Sequence, residues 1–229
     1  MSTLRVILAR KKTTAFLAVG AMLLALVAGV STGQIGPPRV SKAAIQSSVT
    51  RDPALLARAW AMPVAAAFRP SLVYQSGGSR CGPASLANVF RSLGDGRATE
   101  TLVLDGTGRC WSGTCIMGLS LDELSEVARA HTQHKISVLR DLTPDQFREH
   151  LRRSNDPGRR YVINFSRKPI FGAGGGHHSP IGGYLEAEDL VFVLDVNADF
   201  QPWLVERERL FAAVDTIDGG QKRGMLLIE

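Results

Sequence analysis

No apolar run in this 229-residue sequence makes a comfortable membrane span. The candidate, Ala15 to Val30, is about 16 residues long, against the ~20 a helix needs to cross a bilayer. No cysteine follows that run to accept lipid. Beyond this leader there is no internal repeat and no low-complexity tract. A strong basic field is missing as well. The net charge is +6, but residues 1–33 hold Arg5, Arg10, Lys11 and Lys12 and no acid. Setting those aside leaves about +2, too little to hold a phosphate backbone, so nucleic-acid binding is excluded as a role. Cysteine is scarce, and the three present cannot all pair.

The features present begin with export. A basic stretch ending in Lys11-Lys12, the apolar run and small, polar Ser31-Thr32-Gly33 have the layout of a secretory signal. Residues 1–33 therefore read as a signal peptide cleaved near residues 29–34, or as a retained N-terminal anchor. Residues 34–51, rich in Gly, Pro, Ser and Gln, read as a linker, and 52–229 as one catalytic domain outside the cytoplasm. Hydrophobic content of 45% and charged content of 21% suit a globular domain.

Within that domain the most informative segment runs from Gln75 through Cys81-Gly-Pro-Ala-Ser-Leu to Phe90. Cys81 opens an apolar, helix-forming run. At a helix N-terminus the free N–H groups and the positive dipole end favour a thiolate. Gln75, six residues upstream, is placed to fold back and donate to an oxyanion. The bland reading is a buried structural cysteine. Cys110 and Cys115 sit close together in a Gly/Ser/Thr-rich stretch. They suit a disulfide that leaves Cys81 free, two unpaired thiols, or half of a zinc site completed by His131 or His134.

A cysteine nucleophile needs a base and a group to orient it. His177 and His178 lie between glycines in Gly172–Tyr184, and backbone-costly glycines there mark close approach or a site loop. Alternation along a strand points the two rings to opposite faces, so only one is expected to meet Cys81. Asp195 ends an apolar strand, where a buried carboxylate is expensive unless it has partners. His131, His134 and His150 fall near predicted helix ends and read as surface histidines.

The rest supports an α+β domain with helices first and a mainly antiparallel sheet later. Helices are predicted over 53–68 with a break at Pro63, from Cys81 to Leu93, from a capping box at Ser120 to His131, and from Thr143-Pro144 to Arg153. Leu204 to Val214 reads as one amphipathic helix. Strands are predicted at 161–165, 179–184, 190–196 and 225–228. The order Gln75, Cys81, His177, Asp195 matches a papain-like arrangement, with the nucleophile on an early helix and its partners on the following sheet.

These segments together resemble the phytochelatin synthase family, the glutathione γ-glutamylcysteinyltransferases, over about residues 55–229. The matches are Gln75-Ser76, four residues and Cys81-Gly-Pro-Ala-Ser-Leu; Gly176-His177-His178-Ser-Pro-Ile-Gly-Gly-Tyr184; Val193-Leu-Asp195-Val196; and Arg223-Gly-Met-Leu-Leu227. The family pattern carries an aromatic after its histidine, so the resemblance gives the catalytic role to His177 and puts His178 in the aromatic's place. It implies that Cys81 attacks the Cys–Gly carbonyl of glutathione, with His177 as base then acid, Asp195 as orienter and Gln75 as oxyanion donor. Glycine leaves, and the γ-glutamylcysteinyl group passes to a second thiol peptide or to water. No cofactor is implied for that chemistry. Cadmium or zinc activation, through the metal–thiolate substrate, and a homodimer are compatible with the resemblance.

The chain departs from the pattern after Asp195. The stretch Val196–Trp203 has no arginine or tyrosine, and the Cys-rich C-terminal region of plant enzymes is absent, which turns the expectation towards hydrolysis. Two rival readings stand beside this one. An exported peptidase resembling bacteriocin-leader peptidases shares the Gln-to-Cys spacing, but lacks the His-Ser-Pro-Ile-Gly-Gly-Tyr run. A noncatalytic periplasmic protein would use the three cysteines to hold a heavy metal.

Overall fold

The structure is a computed structural model that describes residues 22, 38–69, 72–110 and 118–229. The chain divides into two units, Met1–Pro38 and Arg39–Glu229, and the second carries Cys81, His177 and Asp195. The expected leader and Cys115 lie outside the described residues, apart from Met22. Among the described residues no helix is long and apolar enough to cross a membrane.

Helices come first in the chain. They are α1 (Lys42–Ser47), α2 (Pro53–Ala61), α3 (Pro63–Phe68), α4 (Cys81–Ser92) and α5 (Leu121–His131). Pro63 separates α2 from α3 because a proline fits the first turn of a helix but not its interior. A capping box starts α5, where Ser120 and Glu123 satisfy each other's backbone N–H. Thr143 and Gln146 do the same for α6 (Pro144–Arg153).

The sheet comes next, with β1 (Ile136–Leu139), β2 (Arg160–Ser166), β3 (Gly176–Leu185), β4 (Leu190–Val193), β5 (Trp203–Glu206) and, after the small ribbon of β6 (Ile217–Asp218) and β7 (Gln221–Lys222), β8 (Gly224–Ile228). Its order is β1-β8-β2-β3-β4-β5, with every pair antiparallel. Short α7 (Lys168–Phe171) and α8 (Arg207–Val214) complete the set.

Period-two alternation divides the core between the sheet's faces. Val162, Phe192, Leu204 and Leu226 pack with α2–α5 residues such as Phe68, Leu86 and Leu124. Tyr161, Phe165, Val193, Trp203 and Leu227 pack instead with Phe147 and Leu210 of α6 and α8. A third, small cluster of Cys81, Ala84 and Val196 lies apart from both.

Three expectations change. Leu204–Val214 is a strand end followed by a helix, because Trp203 and Val205 face one core and Leu204 the other, which a helix could not arrange. Part of the stretch read as a linker is folded. Ser41 caps α1, Ile45 is buried, and Thr50 exchanges both backbone hydrogen bonds with Leu204, at 2.8 and 3.1 Å. The strand expected over 190–196 ends at Val193, with one further bond from Leu194 N to Pro180 O at 2.9 Å, and Asp195 lies beyond the paired residues.

Candidate active site

Cys81 is the first residue of α4 and is 7% exposed. Arg80 at the N-cap supplies no side-chain cap, so the first-turn N–H groups keep their positive field for the sulphur. The preceding segment is fastened on two sides. Asn88 of α4 accepts from Val73 N at 2.8 Å and donates to Val73 O at 2.8 Å, while Gln75 N donates to Val196 O at 2.7 Å. Gln75 is thus drawn beside Asp195, two links from the nucleophile. Its side-chain Nε2 donates to Gly77 O at 2.7 Å, and its Oε1 is buried with no partner among the described residues.

His177 begins β3. Its ring packs edge-on to Phe165, with centroids 5.6 Å apart, and Nε2 lies 2.9 Å from Asp195 Oδ1. That leaves Nδ1 free of Asp195, and the His177 imidazole is near enough to Cys81 to pull its thiol down. Asp195 has no exposed surface. It accepts from Asn197 N at 2.9 Å, from Trp203 Nε1 at 3.0 Å and from Arg167 at 3.0 Å, and so spreads its charge over four donors. Arg167 is itself stacked 3.4 Å from the centre of the Phe200 ring.

The charges of this group are set by competition. Burial pushes the Asp195 carboxyl up, but Arg167 and His177 outweigh it and hold it far below the usual carboxylate range. Burial and Arg167 push His177 down, yet Asp195 and Cys81 leave it raised above the ordinary histidine value. Burial pushes the Cys81 thiol up, but His177 and then His178 pull it well below its usual value. The result is a buried thiolate–imidazolium pair with a carboxylate behind it. Such a pair can attack a carbonyl carbon and protonate a leaving amine.

His178 does not behave as strand alternation suggested. Its Nδ1 is 3.8 Å from Cys81 Sγ, and His177 acts on the same thiol, so both neighbouring histidines of β3 serve one sulphur. Cys81 sits at the beginning of β3 rather than over one of its faces, and both rings reach it there. Cys81 and His178 open into a cleft of about 340 Å³ lined also by Ser79, Glu123, Asp218 and Arg223.

Arg223, at the head of β8, is a site residue that the sequence reading took only as part of a closing strand. Its Nη1 donates to Asn164 Oδ1 at 2.6 Å and lies 2.9 Å from Asp218 Oδ2, and its buried Nε has no partner among the described residues. The cleft therefore has a guanidinium despite the absence of one after Asp195. Arg167 and Trp203 are further members that sequence reasoning misses. An arginine 28 residues before Asp195 in a basic stretch has nothing in sequence to single it out.

Cys110 is disulfide-bonded and Cys81 is free. His131 is exposed near Val127, to whose carbonyl its Nδ1 points, and His150 meets Tyr161 OH at 3.2 Å, both away from the cleft. Among the described residues no group of three or more His, Cys, Asp or Glu side chains is arranged to hold a metal ion.

Comparison with known proteins agrees with this geometry. A sequence model of the family described as phytochelatin synthase matches residues 37–225. The chain is 28% identical over 172 residues to glutathione gamma-glutamylcysteinyltransferase of Schizosaccharomyces pombe, covering 69% of this chain and 41% of that one. It is 30% identical over 179 residues to glutathione gamma-glutamylcysteinyltransferase 2 of Arabidopsis thaliana, covering 67% and 37%. It thus spans well under half the length of these relatives. Among solved structures, a putative C39-like peptidase from Bacillus anthracis superposes with a TM-score of 0.54 at 14% identity, covering 71% of this chain and 95% of that one. That likeness shows the fold, which is papain-like: α+β, with helices packed on a mainly antiparallel sheet. With most of its length matched, the chain belongs to the phytochelatin synthase family.

Proposed function

We propose that this chain is a cysteine acyltransferase acting on glutathione. The observation that carries the reading is the buried Cys81–His177–Asp195 set, with 2.9 Å between His177 Nε2 and Asp195 Oδ1, in a chain of this family. The Cys81 thiolate attacks the carbonyl carbon of the Cys–Gly bond, whose π electrons move onto oxygen. His177 then gives its proton to the glycine nitrogen as the C–N bond breaks, which leaves a γ-glutamylcysteinyl thioester. His177 next takes a proton from the acceptor, a second thiol peptide or water, and the sulphur leaves with its electron pair.

Gln75 serves as oxyanion donor in this scheme. Its Nε2 then exchanges Gly77 O for the substrate oxygen, beside the backbone N–H at the start of α4. Arg223 supplies positive charge for a substrate carboxylate. The residues at hand carry all of these steps, so no cofactor is invoked. Cadmium or zinc enters as the thiolate complex of the substrate. Absence of the arginine and tyrosine expected after Asp195 favours water as acceptor. Export fits a chain whose Cys110 is disulfide-bonded while its reactive thiol stays free.

The test is to incubate the full chain with glutathione, with and without cadmium or zinc, and follow glycine, γ-glutamylcysteine and longer thiol peptides by mass spectrometry. Glycine release and a thioester on Cys81, both lost in Cys81→Ala, are expected. No glycine at any glutathione concentration would overturn the substrate, and metal bound without turnover would overturn the enzyme reading.

A further inference from the structure

The proposed chemistry leaves His178 unused, although it is 3% exposed and its Nδ1 lies 3.8 Å from the reacting sulphur. Its other ring nitrogen, Nε2, is buried and finds no hydrogen-bond partner among the described residues. Those two facts decide where its proton sits. A buried N–H without an acceptor is costly, whereas a buried lone pair without a donor is tolerated more often. The favoured neutral form therefore carries hydrogen on Nδ1, directed at Sγ.

We infer that His178 is a catalytic residue, a second hydrogen-bond donor to the Cys81 sulphur held in its Nδ1–H form. It moves no proton. In the resting enzyme it helps hold the thiolate, in addition to His177. On thioester formation the sulphur becomes a poor acceptor and the bond weakens. When the acceptor attacks, the C–S bond breaks, the electron pair returns to sulphur, and Nδ1–H receives it. His177 moves both protons of the cycle. An aromatic at this position, as in the family pattern, could pack but could not donate through nitrogen to the leaving sulphur.

This inference rests on Cys81 as nucleophile, but not on glutathione as substrate. The sulphur is faced by His177 and His178 from β3 and by Arg223 from β8. Asp195 and Arg167 stand behind His177, and Glu123 of α5 and Asp218 of β6 line the same cleft, while Arg80 beside Cys81 pairs with Glu100 at 3.2 Å. All except His178 stay constant when the full chain, His178→Phe and His178→Gln are alkylated with iodoacetamide across pH, without glutathione.

His178→Phe is expected to react about tenfold more slowly on the acidic limb of the profile, and the amide of His178→Gln to recover part of that rate. Histidine ¹⁵N spectra of the unaltered protein should show His178 protonated at Nδ1, with that signal moving when Cys81 is alkylated. An unchanged profile in His178→Phe, or hydrogen on Nε2, overturns the inference. If His178→Phe does not fold, the ¹⁵N spectrum alone decides. A shifted profile with no glycine released from glutathione would sink the substrate and leave His178 in its role.

Discussion

A carboxylate with no exposed surface keeps its charge only if the surroundings outbid water for it, and Asp195 has four donors that do so. Since its folded value lies below the unfolded one, its contribution to stability is present above the ordinary carboxylate value, ~4, and is lost as pH falls towards the folded value. His177 runs the other way: raised in the fold, it contributes below the ordinary histidine value, ~6.5, and loses that contribution as pH rises through its folded value. Activity needs thiolate and imidazolium together. The expected kcat/KM profile is therefore a bell whose acid limb lies well below the ordinary thiol value and whose alkaline limb lies above ~6.5. In Asp195→Asn the alkaline limb should move to lower pH and kcat/KM fall by roughly a hundredfold or more. An alkaline limb that does not move would deny Asp195 its hold on His177. Cys81, the glycine-flanked His177-His178 pair and Asp195 stand out in sequence because nucleophile, base and orienter differ in kind, while the choice of His177 over His178 comes from the family resemblance. Trp203 could not, because its indole meets Asp195 only where the chain leaves β4 and returns as β5.

At the level of elements, the site is a helix start set against a strand start, with the segment 72–75 strapped between them. The strap depends on Asn88, which bonds both backbone groups of Val73 and also donates to Ala84 O at 2.8 Å. Asn88→Ala removes both of these part-buried hydrogen bonds to Val73 and should cost about 1–2 kcal/mol in denaturant unfolding. It should also lower kcat more than it raises KM, because Gln75 and the 76–80 turn lose their placement. A destabilised variant with full kcat would show that the strap supports the fold but not the chemistry. The helices with capping boxes were legible because their signal is local: Ser120 with Glu123, and Thr143 with Gln146. Strand β1 gave no such signal. Its four residues are mostly half-buried at the sheet edge, and only pairing with β8 makes them a strand. The start of β5 was hidden differently, since Leu204 and Val205 fit the apolar stripe of the helix that comes after it.

Across the whole molecule, two cores share one sheet, and the segment before α2 closes it. Thr50 pairs with Leu204, and Arg51 donates to Pro202 O at 3.2 Å and also meets Phe200 O. Phe200 is the ring on which Arg167 stacks, so this segment supports the far end of the Asp195 network. A chain beginning at residue 52 should therefore melt at least about 5 °C below one beginning at residue 38, by calorimetry, and equal melting points would show the segment to be a tether. Composition suggests a linker here because the stretch is rich in Gly, Pro, Ser and Gln. What joins it to the body is backbone pairing, which composition does not record.

The depth of the sulphur also governs which disulfides Cys81 can form. Two cysteines bridge only when their Cα atoms come within about 4.4–6.8 Å of each other. At 7% exposure, no cysteine on the surface of a folded neighbour can bring its backbone that close to Cys81. A slim, flexible thiol entering the cleft can. Cys81 is thus guarded against cross-linking to other folded proteins, while its thiol remains open to small molecules, mixed disulfides included.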